Sequence, residues 1–476
     1  MLRASLLDEG QLRRLHEAAL SVLERVGVQV PHPEVLSRFA DEGAEVDFEA
    51  QRVRARPELV MHLVWKAGAE FTLYGRDLSK TARFGQGQRN YNSIAGEAFW
   101  VDEPAGARRP ARLADVATAA RFAEGLERIS VVGAMTDPCD VPVRLRPVEV
   151  FASLLRHTTR PLHFWFHDRT STRFLIELMV ALRGSRSLAE DYPLCYPFLE
   201  PISPLRFPFD GVDLLFETAE LNLPVPVGPM AQMGLSAPMS LAGTIVQEHA
   251  EILAGITITQ LIRPGLPVIY GGIPHAFDMR TTQLVFAGPE QALLGIAMTE
   301  LGKWLGLPVY INVGLTDSKR PDAQAGLETA ATLLPGAAAG ADIFGHLGIA
   351  GVDQATSLDM LVLQHEVVDY VESVLREVDL SDEALGLAEI KVAGPCGGYL
   401  DRDFTADRFR SELWFPRLLD RQYYQGWLEQ GALSLEERCR HRKAELLATS
   451  DVPPLADDTE QALEEVLTAA RRELGG

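Results

Sequence analysis

The sequence lacks several features that mark common classes of protein. It has four cysteines in 476 residues and no Cys-x-x-Cys pair, so we expect reduced, buried thiols rather than a disulfide framework. The N-terminus has no signal-peptide apolar core, and no run of about 18 uncharged apolar residues occurs anywhere. These absences predict a cytoplasmic protein without a membrane span. The cysteines are Cys139, Cys195, Cys396 and Cys439.

Basic residues are also scarce relative to acidic ones. Lysine and arginine number 45 against 66 aspartates and glutamates, which gives a net charge of −21. Such a charge repels nucleic acid and anionic membranes, and suits a cationic substrate or a basic partner surface. The sequence contains no phosphate-binding lysine loop, Ser–His–Asp signature or zinc-thiolate pattern. We predict no metal site, because the zinc-protease-like run from His365 ends in Asp369 where the second histidine would stand.

What is abundant is apolar sequence in short, regularly spaced runs. Each run has four to seven residues, and both its odd and its even positions are apolar. This pattern is typical of parallel strands covered on both faces. Longer helical patterns separate the runs, so the spacing predicts strand–helix units. Seven runs are clear, at 129–134, 161–166, 194–199, 225–229, 266–271, 309–313 and 343–346, and 388–392 is the candidate for an eighth.

Eight such units predict an α/β fold, a (β/α)8 TIM barrel. A doubly wound sheet is the alternative, but the unbroken series favours closure, and no Gly-x-Gly-x-x-Gly follows the first run. Helical and strand-like segments before the barrel predict an N-terminal α+β cap, and helical patterns follow it. We therefore divide the chain into a cap (1–127), the barrel (128–400) and a C-terminal helical extension (401–476).

The residues that close the predicted strands are aromatic and polar. Active sites of such barrels lie at the C-terminal strand ends, so these residues are the candidates for substrate contacts. Aromatic faces with carboxylates suit a quaternary ammonium group, which cannot donate a hydrogen bond and is held by ring quadrupoles and charge. Ordinary packing is the alternative for the aromatic residues, and a solvated loop or helix cap for the acidic ones. The substrate-binding candidates are Trp165, Phe166, Phe198, Glu200, Tyr270, Asn312 and Asp317.

Three long phrases resemble one known family. They are 247–272, which opens Gln-Glu-His-Ala-Glu and closes Tyr-Gly-Gly, 317–326 (Asp-Ser-Lys-Arg-Pro-Asp-Ala-Gln-Ala-Gly) and 353–360 (Asp-Gln-Ala-Thr-Ser-Leu-Asp-Met). In this order they resemble the trimethylamine methyltransferase family, in particular members without pyrrolysine that act on quaternary amines. The resemblance extends from about residue 10 to about 435 and also implies a barrel.

The resemblance implies a methyltransferase that moves a methyl group from a quaternary amine, glycine betaine or a similar betaine, to Co(I) of a corrinoid. No pyrrolysine and no Asp-x-His-x-x-Gly cobalamin signature is present, so no cofactor should be tightly bound. The cobalamin should arrive on a cognate corrinoid protein. The segment 90–93 matches one in the glycine betaine members of the family, so the resemblance implies that Tyr91 contacts the substrate from the cap. His346 is expected on the opposite side of the same pocket. We name both as candidate catalytic residues.

A non-catalytic betaine-binding barrel that serves as a sensor or scaffold is the alternative function. Only methyl transfer to reduced corrinoid separates the two hypotheses, since both predict betaine binding. For His346 the alternative is a structural histidine with all its hydrogen bonds satisfied. Assembly into a homo-oligomer is also compatible with the sequence.

Overall fold

Eight parallel strands close into a barrel in the computed structural model, which describes residues 2–102 and 107–475. Five neighbouring strands form one sheet, in the order Val225–Val227, Val268–Gly272, Val309–Asn312, Ile343–Leu347 and Asn90–Ser93. Parallel bridges complete the ring through Val132–Gly133, Leu162–His163 and 195–199. The predicted barrel and the seven predicted strand positions are confirmed.

The prediction of a strand at 388–392 is wrong. That segment is the helix Leu387–Ala393, and none of its residues is buried. The missing strand is Asn90–Ser93, which is the first in the barrel and pairs with the eighth, Ile343–Leu347. Its polar sequence gives no hydrophobic signal, because its inward side chains bond to other polar groups. This strand lies within the predicted cap, so we propose that the barrel begins at about residue 90. The predicted domain boundaries after residues 127 and 400 stay predictions.

A helix follows every barrel strand, as a (β/α)8 fold requires. Several helices begin at a residue whose side chain accepts a backbone N–H three residues later, among them Ser240, Asp322 and Ser357. Each cap contributes about 1 kcal/mol and fixes where the loop after the strand ends. The eight helices are Leu113–Glu124, Arg146–His157, Arg169–Arg183, Phe209–Thr218, Leu241–Ile262, Pro289–Trp304, Ala323–Ala339 and Leu358–Val374.

The barrel interior has an apolar N-terminal end and a polar C-terminal end. An antiparallel hairpin, Phe71–Tyr74 with Thr81–Phe84, packs Leu73 and Phe84 against the inward side chains Ile269 and Ile343. Above this plug, the inward positions carry histidine, asparagine and tyrosine. Because the other end is filled, a substrate can enter only from the C-terminal mouth.

Smaller elements surround the barrel. The N-terminal part is α+β as predicted, with helices Glu9–Arg25, Pro33–Asp41 and Pro57–Val64 and the antiparallel strands Val28–Gln29, Glu45–Asp47 and Arg52–Arg54. Short strands at the mouth are Phe99–Asp102, Ala107–Pro110, Gln232–Met233, His275–Asp278, Gln283–Val285, Ile349–Ala350 and Ala355–Thr356. Further helices are Arg186–Asp191, Asp403–Glu412, Tyr424–Glu429, Leu435–Thr449 and Asp457–Leu474, and 219–221 forms one 3-10 turn.

All four cysteines are free thiols. Cys195 and Cys439 are buried, whereas Cys139 and Cys396 are exposed, so the expectation of burial is wrong for the latter pair. Within the described ranges, no helix combines the length and the apolarity needed to cross a membrane.

Candidate active site

A cavity of about 550 Å³ opens at the C-terminal mouth of the barrel, beside the third and fourth strands. Trp165, Phe198 and Glu200, all predicted from their positions after strands, line it together with Met230 and Gln232. The volume is within the range of small-molecule sites. Trp165 and Phe198 present their rings nearly perpendicular to each other, with centroids 6.4 Å apart.

Three carboxyl groups gather at the same mouth from distant parts of the sequence. Glu97 follows the first strand, Glu200 the fourth and Asp353 the eighth, and the Glu97 and Asp353 side chains are hydrogen-bonded to each other. The indole N–H of Trp165 donates to the Gly96 carbonyl at 3.0 Å, which places that ring next to Glu97. An aromatic pair and acidic groups therefore share one space.

Burial controls the charge of this acidic cluster. Desolvation, together with the neighbouring Asp353 charge, raises the pKa of Glu97 to about 9, so Glu97 holds the proton shared with Asp353 near neutral pH. The same two causes raise the pKa of Glu200 to about 7. The Glu200 side chain nevertheless reaches solvent, because it lines an open cavity within the protein. A bound cation would favour the ionised form of both groups.

A chain of hydrogen bonds crosses the polar end of the barrel interior. The Asn92 amide donates to Nδ1 of His163 at 2.8 Å and to the Tyr310 hydroxyl at 3.3 Å. The Tyr310 hydroxyl in turn lies 2.8 Å from Nε2 of His346. Since Tyr310 accepts from Asn92, its own proton is free to go to Nε2 of His346.

This direction of donation assigns the protons of both histidines. With the Asn92 amide oriented in this way, His163 accepts on Nδ1 and its proton is assigned to Nε2, whereas His346 accepts on Nε2 and its proton is assigned to Nδ1. Neither of these two N–H groups has a partner among the described residues. Burial lowers the pKa of His346 to about 3 and that of His163 well below its usual range, so both rings are neutral donors.

Unpartnered buried donors are costly, and a ligand that accepts from them is one explanation of their presence. His163 is fully enclosed, while His346 keeps 6% of its surface exposed. The Nδ1–H of His346 is therefore the donor that a bound molecule can reach with less rearrangement.

Gly345 leaves room for the hydrogen bonds that link Asn92, Tyr310 and His346. A Cβ at this position would stand 2.0 Å from the Tyr310 hydroxyl oxygen and 2.6 Å from Oδ1 of Asn92. Both distances are far inside van der Waals contact, so only glycine leaves room for the hydrogen bonds on either side of it.

Asn312 and Asp317 take supporting positions. Nδ2 of Asn312 lies 3.3 Å from Nε2 of His275 inside the barrel, so Asn312 belongs to the polar interior, and its contact with substrate stays a prediction. Asp317 accepts the backbone N–H of Phe286 at 2.8 Å and so joins two mouth loops. We assign Asp317 to holding the mouth loops together.

The sequence prediction placed Tyr91 and Tyr270 at the substrate site, but both side chains point away from the barrel interior. Each lies on a barrel strand but points outward, because side chains alternate and the neighbouring positions face inward. The Tyr91 hydroxyl donates to Glu372 at 2.5 Å, and the Tyr270 hydroxyl lies 2.8 Å from Nδ1 of His249, both on surrounding helices. Tyr91 and His346 thus do not face each other across one pocket.

Phe166 has a mixed position. Its ring stacks on Phe164, with centroids 4.8 Å apart, toward the helices, and the residue also lines the cavity. Of Trp165 and Phe166, only Trp165 faces the barrel interior, because adjacent residues of a strand point to opposite sides.

The sequence prediction missed Asn92, His163, Tyr310, Glu97 and Asp353. His163 and Tyr310 could have been found by following the inward alternation along 161–166 and 309–313. Asn92 lies on the polar strand that gives no hydrophobic signal. Glu97 and Asp353 lie in loops where no periodicity operates. Across residues 2–102 and 107–475, no group of three or more His, Cys, Asp or Glu side chains is arranged to hold a metal ion.

The outward position of Tyr91 leads to a test. We expect Tyr91→Phe to lower the free energy of unfolding by roughly 1.5–3 kcal/mol, because a hydrogen bond to a charged carboxylate is lost. Glu372 keeps its paired contacts with Arg89, at 2.6 Å each, so its charge stays compensated. Activity per folded molecule should not change.

Chemical denaturation and an activity assay on the same preparation check this expectation. Tyr310→Phe is the matched control, since it also removes one hydroxyl from a buried tyrosine but breaks the chain to His346. An equal loss of activity in both variants would place Tyr91 at the site after all.

Comparison with known proteins gives a consistent family. The family model described as trimethylamine methyltransferase (MTTB) matches residues 1–475. Glycine betaine methyltransferase of Desulfitobacterium hafniense is 28% identical over 473 residues, covering 99% of this chain and 98% of the relative. Trimethylamine methyltransferase MttB of Methanosarcina thermophila is 27% identical over 482 residues, covering 95% of each chain.

A solved structure supports the fold. The monomethylamine methyltransferase MtmB of Methanosarcina barkeri superposes with a TM-score of 0.55, covering 99% of this chain and 89% of its own. The two sequences are 9% identical, so the similarity concerns the fold alone.

Proposed function

The chain belongs to the trimethylamine methyltransferase family and is therefore a methyltransferase, and on this basis we propose that its methyl donor is a quaternary amine. Glycine betaine is the leading substrate, ahead of other betaines. The acceptor is Co(I) of a corrinoid carried by a separate protein. The name of the 28% identical relative supports the choice of glycine betaine.

One structural observation carries the choice of a betaine. A betaine has a quaternary cation at one end and a carboxylate at the other. The cavity at the mouth offers partners for the cation, and the polar interior of the barrel offers one for the carboxylate. Trp165, Phe198 and Glu200 suit the cation, with each ring contributing roughly 0.5–2 kcal/mol. The unpartnered Nδ1–H of neutral His346 suits the carboxylate.

The reaction asks little acid–base chemistry of the protein. The bond from nitrogen to the methyl carbon breaks, its electron pair stays on nitrogen, and the amine leaves neutral without a proton. The two electrons for the new bond to carbon come from Co(I). What the chain supplies is a fixed direction of the N–CH3 bond and removal of water from the cation, which are positioning and desolvation effects.

The place of docking for the corrinoid protein follows from this geometry. The N-terminal end of the barrel is plugged by Leu73 and Phe84, so the methyl group can be presented only through the C-terminal mouth. We therefore propose that the corrinoid protein docks over the mouth loops and covers the cavity.

The direct test is methyl transfer to a reduced corrinoid protein, followed by the absorbance of methylcobalamin. Glycine betaine should be a donor, and choline, which has a hydroxyl in place of the carboxylate, should bind more weakly. Binding of betaine by calorimetry without any transfer would instead favour the sensor or scaffold hypothesis. Failure to bind any quaternary amine would refute the proposed substrate class.

The pKa of Glu200 predicts a pH-dependent affinity. A quaternary ammonium ion does not titrate, whereas Glu200, with its pKa raised to about 7, gains its charge as the pH rises from 6 to 8. If the cation binds the ionised form, Kd should fall about tenfold across this interval. Glu97, with a pKa of about 9, keeps its proton over most of the range in the free protein.

Calorimetric titration of glycine betaine at pH 6, 7 and 8 measures this effect. Glu200→Gln should bind more weakly than wild type at pH 8 and should lose most of the pH dependence. A slope that persists unchanged in Glu200→Gln would assign the titration to another group.

A further inference from the structure

A buried carboxyl group lies behind the wall of the substrate cavity. Glu248 is on the helix Leu241–Ile262, which follows the fifth barrel strand, and its side chain is fully buried. Among the residues that the structure describes, no lysine or arginine forms an ion pair with it. Burial, together with the nearby Glu251 charge, raises the pKa of Glu248 well above its usual range. A carboxyl group is costly to bury without a cation, so the contacts that Glu248 makes need an explanation.

The two oxygens of Glu248 hold two loops at the mouth of the barrel. Oε2 accepts the backbone N–H of Ala231 at 3.2 Å, and Oε1 accepts that of Ile273 at 3.0 Å. Ala231 follows the fifth strand and Ile273 follows the sixth. The two loops are also joined directly, because the backbone N–H of His275 donates to the Ala231 carbonyl at 2.9 Å. Glu248 therefore fixes the backbone of both loops relative to the barrel.

Both loops support walls of the cavity. Ala231 lies between Met230 and Gln232 in the chain, and both of these neighbours line the cavity. Ile273 belongs to the buried cluster on which Phe198 packs. A movement of either loop would shift the groups that are expected to surround the substrate cation.

A second carboxyl group on the same face of the helix holds a third loop. Glu251, one turn further along, accepts the Ser203 hydroxyl at 2.6 Å and the backbone N–H of Leu205 at 2.8 Å. The Gln247 amide donates to Glu251 at 3.0 Å and to the Ser236 carbonyl at 2.7 Å. Ser203 and Ser236 line the cavity. One turn of this helix thus holds the loops after the fourth, fifth and sixth strands.

Glu248 can act on the reaction only through these loops. It does not line the cavity and has no exposed surface, so it cannot touch a bound substrate. Direct displacement requires a fixed direction of the N–CH3 bond, and a misplacement of about 1 Å can cost about a hundredfold in rate. Loss of the loop contacts should lower kcat more than affinity, because the aromatic pair and Glu200 still attract the cation.

We propose that Glu248 is a positioning residue for methyl transfer, which holds the loops after the fifth and sixth strands so that the cavity walls fix the direction of the N–CH3 bond. The proposal rests on the proposed place of the amine in the cavity, and does not depend on which amine is the donor. It gives a role to the Gln-Glu-His-Ala-Glu run that opens the phrase 247–272.

Glu248→Gln and Glu248→Ala test the proposal in methyl transfer to a reduced corrinoid protein. Glutamine keeps the shape and one acceptor oxygen, whereas alanine removes both acceptors. We expect kcat to fall about tenfold in the glutamine variant and about a hundredfold in the alanine variant. The Kd of glycine betaine, measured by calorimetry, should change by less than about threefold in both.

Glu366 provides the matched control. It is also buried on a helix, and its Oε1 accepts the backbone N–H groups of Arg417, Leu418 and Leu419 at 3.0, 2.9 and 3.2 Å. None of these three residues lines the cavity. Glu366→Ala should therefore lose stability in chemical denaturation, because three donors lose their acceptor, and should keep the wild-type kcat per folded molecule.

Hydrogen exchange measures the loops without any substrate. Amides of 228–236 and 271–276 should exchange faster in Glu248→Gln than in the wild type, and should be unchanged in Glu366→Ala. The proposal would be overturned by unchanged exchange in these loops, by a wild-type kcat in the Glu248 variants, by an equal loss of kcat in Glu366→Ala, or by a Kd that rises as much as kcat falls.

The proposed function fails in a different way. A wild type that transfers methyl groups from no quaternary amine would refute the proposed substrate class. The exchange comparison would still decide whether Glu248 holds the loops, and the ratio of variant to wild-type kcat would then be measured with trimethylamine as the donor.

Discussion

Replacing His346 by alanine is expected to lower methyl transfer from glycine betaine about a hundredfold, which is the typical cost of losing one positioning contact. The physical reason is the free Nδ1–H, which the proposed function assigns to the substrate carboxylate. Because choline has no carboxylate, its binding should weaken much less in this variant. The loss should therefore depend on the substrate.

Transfer rates and calorimetric titrations with both amines measure this difference. His441→Ala is the matched control, since it removes an exposed imidazole far along the chain. Circular dichroism and melting curves separate misfolding from loss of positioning. An equal loss with choline and glycine betaine would assign His346 to the structure of the barrel rather than to the carboxylate.

Gly345→Ala is expected to disrupt the polar interior of the barrel, because the added methyl group has no room there. The new Cβ would collide with the Tyr310 hydroxyl and the Asn92 amide, so the chain of hydrogen bonds to His346 would have to open. Overpacking of this kind costs roughly 1–3 kcal/mol in stability. We expect activity to fall at least a hundredfold, because His346 loses the contact that fixes its tautomer and position.

Gly326→Ala is the matched control for this change. Gly326 lies in the helix Ala323–Ala339 and a Cβ there would meet nothing within 4 Å, so alanine should be neutral or slightly stabilising. Steady-state transfer rates and unfolding free energies of both variants check the prediction. Normal activity in Gly345→Ala would show that the chain through Tyr310 has no role in the reaction.

Strand positions could be predicted wherever the strands are apolar. Seven of the eight barrel strands were found this way, because inward and outward side chains are both hydrophobic near the plugged end. The first strand, Asn90–Ser93, escaped because Asn90 and Asn92 replace apolar residues on the inward side. The exposed helix Leu387–Ala393 was mistaken for a strand because its apolar residues are clustered like those of a strand, although they are exposed.

Side-chain direction could not be predicted from strand position alone. A shift of one residue moves a side chain from the interior to the helices, so Tyr91 and Asn92 exchange roles if the register is misjudged. The same applies to Tyr270, which reaches His249 outside the barrel, while its neighbour Ile269 faces inward.

By itself, the sequence determined the family, the closed barrel, most strand positions and the aromatic and acidic character of the mouth, because these follow from local periodicity and from long matched phrases. The tertiary structure decided which side chains meet. Glu97 and Asp353 are more than 250 residues apart and come together only because the first and eighth strands are neighbours when the barrel closes. The assignment of the proton to Nδ1 of His346 likewise rests on its contact with Tyr310 and on the contact of Tyr310 with Asn92, which no local pattern encodes.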